Sequence, residues 1–167
     1  MKSEDAVNAE CLRIAQQVRA AFAGDAWHGP PIRDAVAGIS AAQASARPLT
    51  PGHSIWELVI HIELWTNIAE QAIHGTPMPR LYGTEKDWPE AAGAESEWQA
   101  AVARMLETAE RFASSIEQFG DDRLPDAVPG RNYNFYHLFH GVVQHSLYHC
   151  GQIAMLKRGG HSDLGGG

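Results

Sequence analysis

Residues 134–158, NFYHLFHGVVQHSLYHCGQIAMLKR, decide how the rest of the chain is read. Apolar residues fall at Phe135, Leu138, Val142, Ile153 and Leu156, a three-four rhythm that predicts an amphipathic helix starting near Asn134 as its N-cap. The same rhythm passes through His145, His149 and Gln152, so two imidazoles occupy positions where a helix normally places its core. Left without a partner, each buried ring costs about 1–3 kcal/mol. Four residues apart on a helix they are rotated by only about 40°, so one metal ion between them satisfies both.

Working outward, three further helices are expected. Ser3 followed by Glu4 and Asp5 marks a helix start, and Val7, Cys11, Ile14, Val18 and Phe22 continue it over residues 4–23. The segment to Pro51 is expected to hold a short helical turn after Pro30 and Pro31, then an Ala- and Ser-rich connector. Ser54 and Glu57 form an S-x-x-E capping box ahead of Ile55, Leu58, Val59, Ile62, Trp65, Ala69 and Ile73, a wide apolar face ending at Gly75. Residues 76–94 carry Pro77, Pro79, Pro89, Gly83 and Gly93 and read as a long loop, with Tyr82 and Trp88 expected as pocket walls. Trp98, Val102, Met105, Ala109, Phe112, Ile116 and Phe119 then give a narrow seam. No segment alternates with a period of two, so the expected fold is all-α, a four-helix bundle over residues 1–158 with long crossover loops, followed by a flexible tail, 159–167.

Composition narrows the function classes. Thirteen Lys and Arg against twenty Asp and Glu leave a net charge of −7 with no basic run, which argues against a nucleic-acid partner. The polar opening MKSEDAVNAE and the lack of any apolar run near the roughly 18 residues of a membrane span point to a cytoplasmic chain without membrane contact. Two cysteines, Cys11 and Cys150, form neither a disulfide framework nor a CxxC metal site.

Of the nine histidines, three can converge. His145 and His149 present two nitrogens to one cation, as zinc sites on helices do. His61 is the candidate third ligand, in line with Leu58, Trp65, Ile68 and Ala72; a neighbouring stripe of Ile55, Val59, Ile62 and Ala69 leaves it at the edge of the apolar face instead. His140 and Cys150 each lie about 140° round the helix from His145 and are excluded. His137, about 80° off that line, is a candidate to support a ligand from outside the coordination sphere. His53 and His74 are read as surface groups, Glu57 as a capping residue, and Tyr148 as packing between helices rather than donating into the site. Gln152 either hydrogen-bonds a ligand imidazole or a substrate, or is a polar core residue satisfied by a backbone carbonyl.

HIELW in the second helix, with QHSLYHCGQIAMLKR far downstream, resembles the DinB-like (DinB/YfiT) superfamily, whose last helix reads H-x-x-x-H-x-G-Q-I and whose second helix supplies one more histidine. Carried over residue by residue, the family's three metal-binding histidines fall on His61, His145 and His149, and Gly151 and Gln152 match the end of the motif. The resemblance implies a bundle with a divalent metal ion, commonly zinc or nickel, at one end of a groove, and a homodimer. It also implies metal-dependent transferases and isomerases that act with a low-molecular-weight thiol such as bacillithiol or mycothiol.

Three neutral histidines leave a divalent ion its full charge and at least one open position, the pattern of a catalytic site. A coordinated water or thiol then has a lowered pKa, which serves hydrolysis or thiol transfer of a small-molecule substrate. HSLYH lacks the glutamate that follows the first histidine in HExxH proteases, so its general base is missing at its usual place. Thiol transfer needs less acid-base machinery and therefore ranks above hydrolysis, with a non-catalytic bundle stabilised by a structural metal, or merely by a hydrogen-bonded histidine cluster, as the rival class. No residue is assigned a catalytic role beyond the metal ligands.

Overall fold

The computed structural model describes residues 8–159, which form six α-helices, α1 (Ala9–Phe22), α2 (Ile32–Val36), α3 (Ala41–Ser45), α4 (Ile55–Ile73), α5 (Glu95–Glu117) and α6 (Phe135–Gly159), and one 3-10 turn, Asp121–Arg123, between α5 and α6. The all-helical expectation holds, and the four expected helices are the four long ones. The helix count is larger because the connector between α1 and α4 folds into two five-residue helices. One of these, α2, follows the paired prolines as the sequence implies. The other, α3, contradicts the reading of an irregular connector: Ser40 and Gln43 form a capping box there, a signal that the Ala- and Ser-rich composition obscured. The expected helix start at Ser3 and most of the expected tail lie outside the described residues, whereas Gly159, assigned to that tail, ends α6.

The long helices close a ring in which α1 packs on α5 and α6, and α4 packs on the same two. Consecutive long helices α1 and α4 therefore lie across the ring from one another, as do α5 and α6. Across the centre α5 and the turn after it meet α6 through aromatic rings: Phe112 of α5 is 5.7 Å from Phe139, and Phe119 of the turn is 4.6 Å from Phe135. These centroid distances lie in the range where tilted and edge-to-face rings attract. The narrow seam expected on α5 is buried at Trp98, Met105, Ala109, Phe112 and Ile116. Trp98 also donates its indole N–H to the carbonyl of Ile39 at 2.6 Å, which ties α5 to the segment between α2 and α3.

Helix ends are fixed by polar contacts that the apolar pattern does not show. α1 has no side-chain cap of its own; the carboxylate of Asp121, from the turn after α5, accepts from the backbone N–H groups of Glu10 and Cys11 at 2.9 and 2.8 Å. α4 starts at the expected box, with Glu57 Oε2 accepting from the Ser54 N–H at 2.8 Å. Asn134 caps α6 as expected, its Oδ1 accepting from the His137 N–H at 2.9 Å.

The loop after α4 is locked to the one before α6. Met78 N–H donates to the carbonyl of Pro129 at 2.9 Å, and Arg131 donates to the carbonyls of Met78 and Pro79. Gly130 stands where the segments touch, at a φ of 78°, and a Cβ there would lie 3.2 Å from the Met78 carbonyl oxygen. Only glycine meets both demands without strain. The two loops thus form a single cover over one end of α4 and α6.

Candidate metal centre

The capping box fixes the start of α4, and His61 comes about two turns later on the side facing α6. His61 is buried, at 4% exposure, in line with the buried Leu58, Ile68 and Ala72, and the neighbouring stripe of Ile55, Val59, Ile62 and Ala69 is buried as well, so His61 lies within a wide buried face. On α6, His149 is buried and His145 half-buried. The three rings meet at their Nε2 atoms: His145 Nε2 lies 3.0 Å from that of His61 and 3.1 Å from that of His149. Among the described residues these three form the group whose ligand atoms are mutually within reach of one ion.

The outer nitrogens assign the tautomers. His61 Nδ1 lies 2.8 Å from the carbonyl oxygen of Asp87, so it carries the proton and its Nε2 carries a lone pair. His149 Nδ1 lies 2.6 Å from Gln152 Oε1, with the same result. Gln152 is therefore bonded to the imidazole of His149 rather than to a backbone carbonyl. His145 Nε2 then faces two lone pairs with at most one proton to give. Hydrogen bonding alone satisfies one contact and leaves the other repulsive; a cation between the three nitrogens satisfies all of them. Nitrogens bound tetrahedrally at zinc distances are about 3.3 Å apart, so the observed spacing fits an ion after a shift of a few tenths of an ångström.

Electrostatics keep the three rings in the ligand form. Burial pushes His145 down to about 3, helped by the neighbouring His149 and His61. Burial also lowers His61, against the opposing pull of the Asp87 carbonyl and charge, and lowers His149 against its bond to Gln152. All three are neutral imidazoles at neutral pH, as metal binding requires.

The loop supplies what the helices cannot. Asp87, 2% exposed, also places Oδ1 3.4 Å from His61 Nδ1 while accepting from the Trp65 indole N–H at 2.8 Å. A carboxylate behind a ligand imidazole holds the ring's orientation and raises its basicity. Trp88 stacks on His61 with ring centroids 3.8 Å apart and on His53 at 3.5 Å, so the indole is clamped between two imidazoles. His53 is thus not the plain surface group expected: its ring is part of the stack and its Nδ1 is buried. Asp87 lies in an aperiodic loop, where no spacing rule reaches it; the one signal was an acidic residue beside a large aromatic in a long loop.

Above the histidines opens a cavity of about 550 Å³ walled chiefly by Trp65, Met78, Tyr133, Leu138 and Val142. Tyr82 and Trp88 line it as expected, and so does His137. Tyr148 corrects the sequence reading: it is 67% exposed and stands at the cavity mouth, its ring 5.1 Å from that of His149, instead of packing between helices. His140 and Cys150 point elsewhere, as their angles required; the thiol of Cys150 is buried against the Pro30 carbonyl. His74 is an exposed partner of Glu70. No described helix is long and apolar enough to cross a membrane.

Compared with known protein families, residues 31–153 match the DinB superfamily. No curated protein and no solved structure matches the chain. The matched span runs from the start of α2 into the last turns of α6 and contains the three convergent histidines, and the chain belongs to the DinB superfamily.

Proposed function

We propose that His61, His145 and His149 hold one divalent metal ion, zinc or nickel, with an open coordination position, and that the protein is a transferase that activates a low-molecular-weight thiol there. The observation that carries the reading is the meeting of three Nε2 atoms with one available proton at the floor of a cavity. Among the described residues no fourth ligand joins the group. The nearby carboxylate, Asp87, is on the Nδ1 side of His61 and is engaged by Trp65. A metal ion so held lowers the pKa of a coordinated thiol or water.

The chain's own residues orient and enclose. Asp87 and Gln152 fix the tautomers of two ligands, Trp88 holds the plane of His61, and the aromatic walls give the space above the histidines an apolar lining. Little acid-base machinery is added, which favours thiol transfer over hydrolysis. A hydrolase is the second reading, supported by His137, an imidazole on the cavity wall that the three-histidine group does not use.

Cobalt-substituted protein tests the open position. Adding a low-molecular-weight thiol should shift the visible bands and bring in a sulfur-to-cobalt charge-transfer band. A spectrum unmoved by thiol or azide would favour a closed, structural metal, and a shift with azide alone would favour the hydrolase.

A further inference from the structure

The cavity above the histidines does not end at its aromatic walls. Trp65, Tyr82 and Tyr133 also wall a second, more open groove of about 840 Å³ between the two covering loops, where the lining includes Arg80, Arg131 and Asn132. The two spaces differ in chemistry. The inner one is predominantly apolar, and its one carboxylate among the described residues, Asp87, is occupied by Trp65. The outer one has two guanidinium groups and, among the described residues, no acidic residue in its lining. In a chain of net charge −7, two unopposed cations beside a ligand cavity call for an anionic occupant.

The arginines differ in how they are held. Arg131 is fixed as a cation by the carbonyls of Met78, Gly130 and Pro79, yet its Nε–H has no acceptor among the described residues. Arg80 is exposed and, among the described residues, has no hydrogen-bond or ion-pair partner. A planar fork of donors with nothing to bind suits a carboxylate, which accepts two parallel N–H bonds. Arg131 also ties the two covering loops together, whereas Arg80 supports no helix, caps no end and makes no contact among the described residues that the fold requires.

We propose that the ligand of this protein is an elongated organic anion whose apolar body lies between Trp65, Tyr82 and Tyr133 and whose carboxylate is bound by Arg80 and Arg131, away from the end that meets the histidines. This deepens the reading of the histidine-floored cavity as the substrate site and rests on it. A thiol substrate that also carries a carboxylate satisfies both ends.

The test uses phenylalkanoates from phenylpropionate to phenyloctanoate and their neutral amides, titrated against the full chain by quenching of its tryptophan fluorescence. Titrations are run with the divalent ion bound and again after chelation, because a carboxylate can also bind a metal directly. The expected result is a carboxylate preference of about ten-fold or more that persists without metal, weakens with added salt, and peaks at one chain length. Arg80→Gln should abolish most of that preference while leaving amide binding and the melting temperature unchanged. Arg131→Lys, which keeps the charge but loses the fork, should reduce it in part. Equal binding of acid and amide after chelation, an unchanged preference in Arg80→Gln, or no binding of either series would overturn the proposal. A preference seen only with metal and indifferent to Arg80 would likewise refute the anion site while leaving the metal reading intact. Arginine-dependent preference in a protein that takes up no metal would support the anion site and count against the metal reading.

Discussion

The carbonyl oxygen of Asp87 lies 2.8 Å from Nδ1 of His61, and that one contact determines which nitrogen of the ring is left to bind. A residue of an irregular loop thereby sets the chemistry of a residue on a regular helix. The carboxylate of the same Asp87 stands 3.4 Å from His61 Nδ1 and receives the Trp65 indole N–H. Asp87→Asn keeps the shape and the backbone contact but removes the charge. It should weaken metal affinity by about 10–100-fold in a competition titration with a chromogenic chelator. Asp87→Ala should in addition destabilise the protein by about 1–3 kcal/mol, because the Trp65 N–H loses its acceptor. Unaltered affinity in Asp87→Asn would show that the carboxylate does not support the ligand.

Acid should destabilise the metal-free protein. Its three site imidazoles are held below the ordinary 6.5, His145 as far as about 3. The unfolded chain therefore binds more protons than the folded one throughout the interval below 6.5. Stability is fully present above the unfolded value, begins to fall as the pH drops through it, and continues to fall toward the folded values. Each such histidine contributes a slope of up to about 1.4 kcal/mol per pH unit. Urea unfolding of chelated protein between about pH 7.5 and pH 5 reads the slope, and His145→Gln should make it shallower. A flat profile would mean that the rings titrate normally in the folded state.

Gly141 is a half-buried glycine inside α6 that lines the cavity one turn before His145, and a Cβ at this position meets no protein atom within 4 Å. A glycine within a helix costs about 0.5–1 kcal/mol relative to alanine, so the space it leaves serves the cavity rather than the fold. Gly141→Ala should stabilise the protein by about that amount in thermal unfolding. Gly141→Leu should fold normally, retain its metal, and lose ligand binding and any thiol-dependent activity. Full binding in the leucine variant would place the ligand elsewhere.

Much of this arrangement was legible in the sequence because helices broadcast their faces. The spacing of Leu138, Val142 and Ile153 sets the inward face of α6, and the same spacing places His145 and His149 on it. The capping pair Ser54 and Glu57 located α4 in the same way. Where side chains face a ligand rather than the core, periodicity says less: Tyr148 falls near the inward face by angle but stands exposed at the cavity mouth. Asp87 and the stack of Trp88 between His53 and His61 depend on loop geometry, set by contacts such as that of Met78 with Pro129, that no local pattern encodes. The five-residue helix α3 was missed because alanine and serine suit a connector as well as a helix.

The most direct test of the central claim is the metal content of protein purified without a polyhistidine tag, measured by mass spectrometry beside His61→Ala and His149→Ala. The account predicts one divalent zinc or nickel ion per chain in the native protein and a fall to near background in both variants, with helical circular dichroism retained. Native protein that holds no stoichiometric metal even after dialysis against each ion, or variants that hold as much as the native chain, would contradict it.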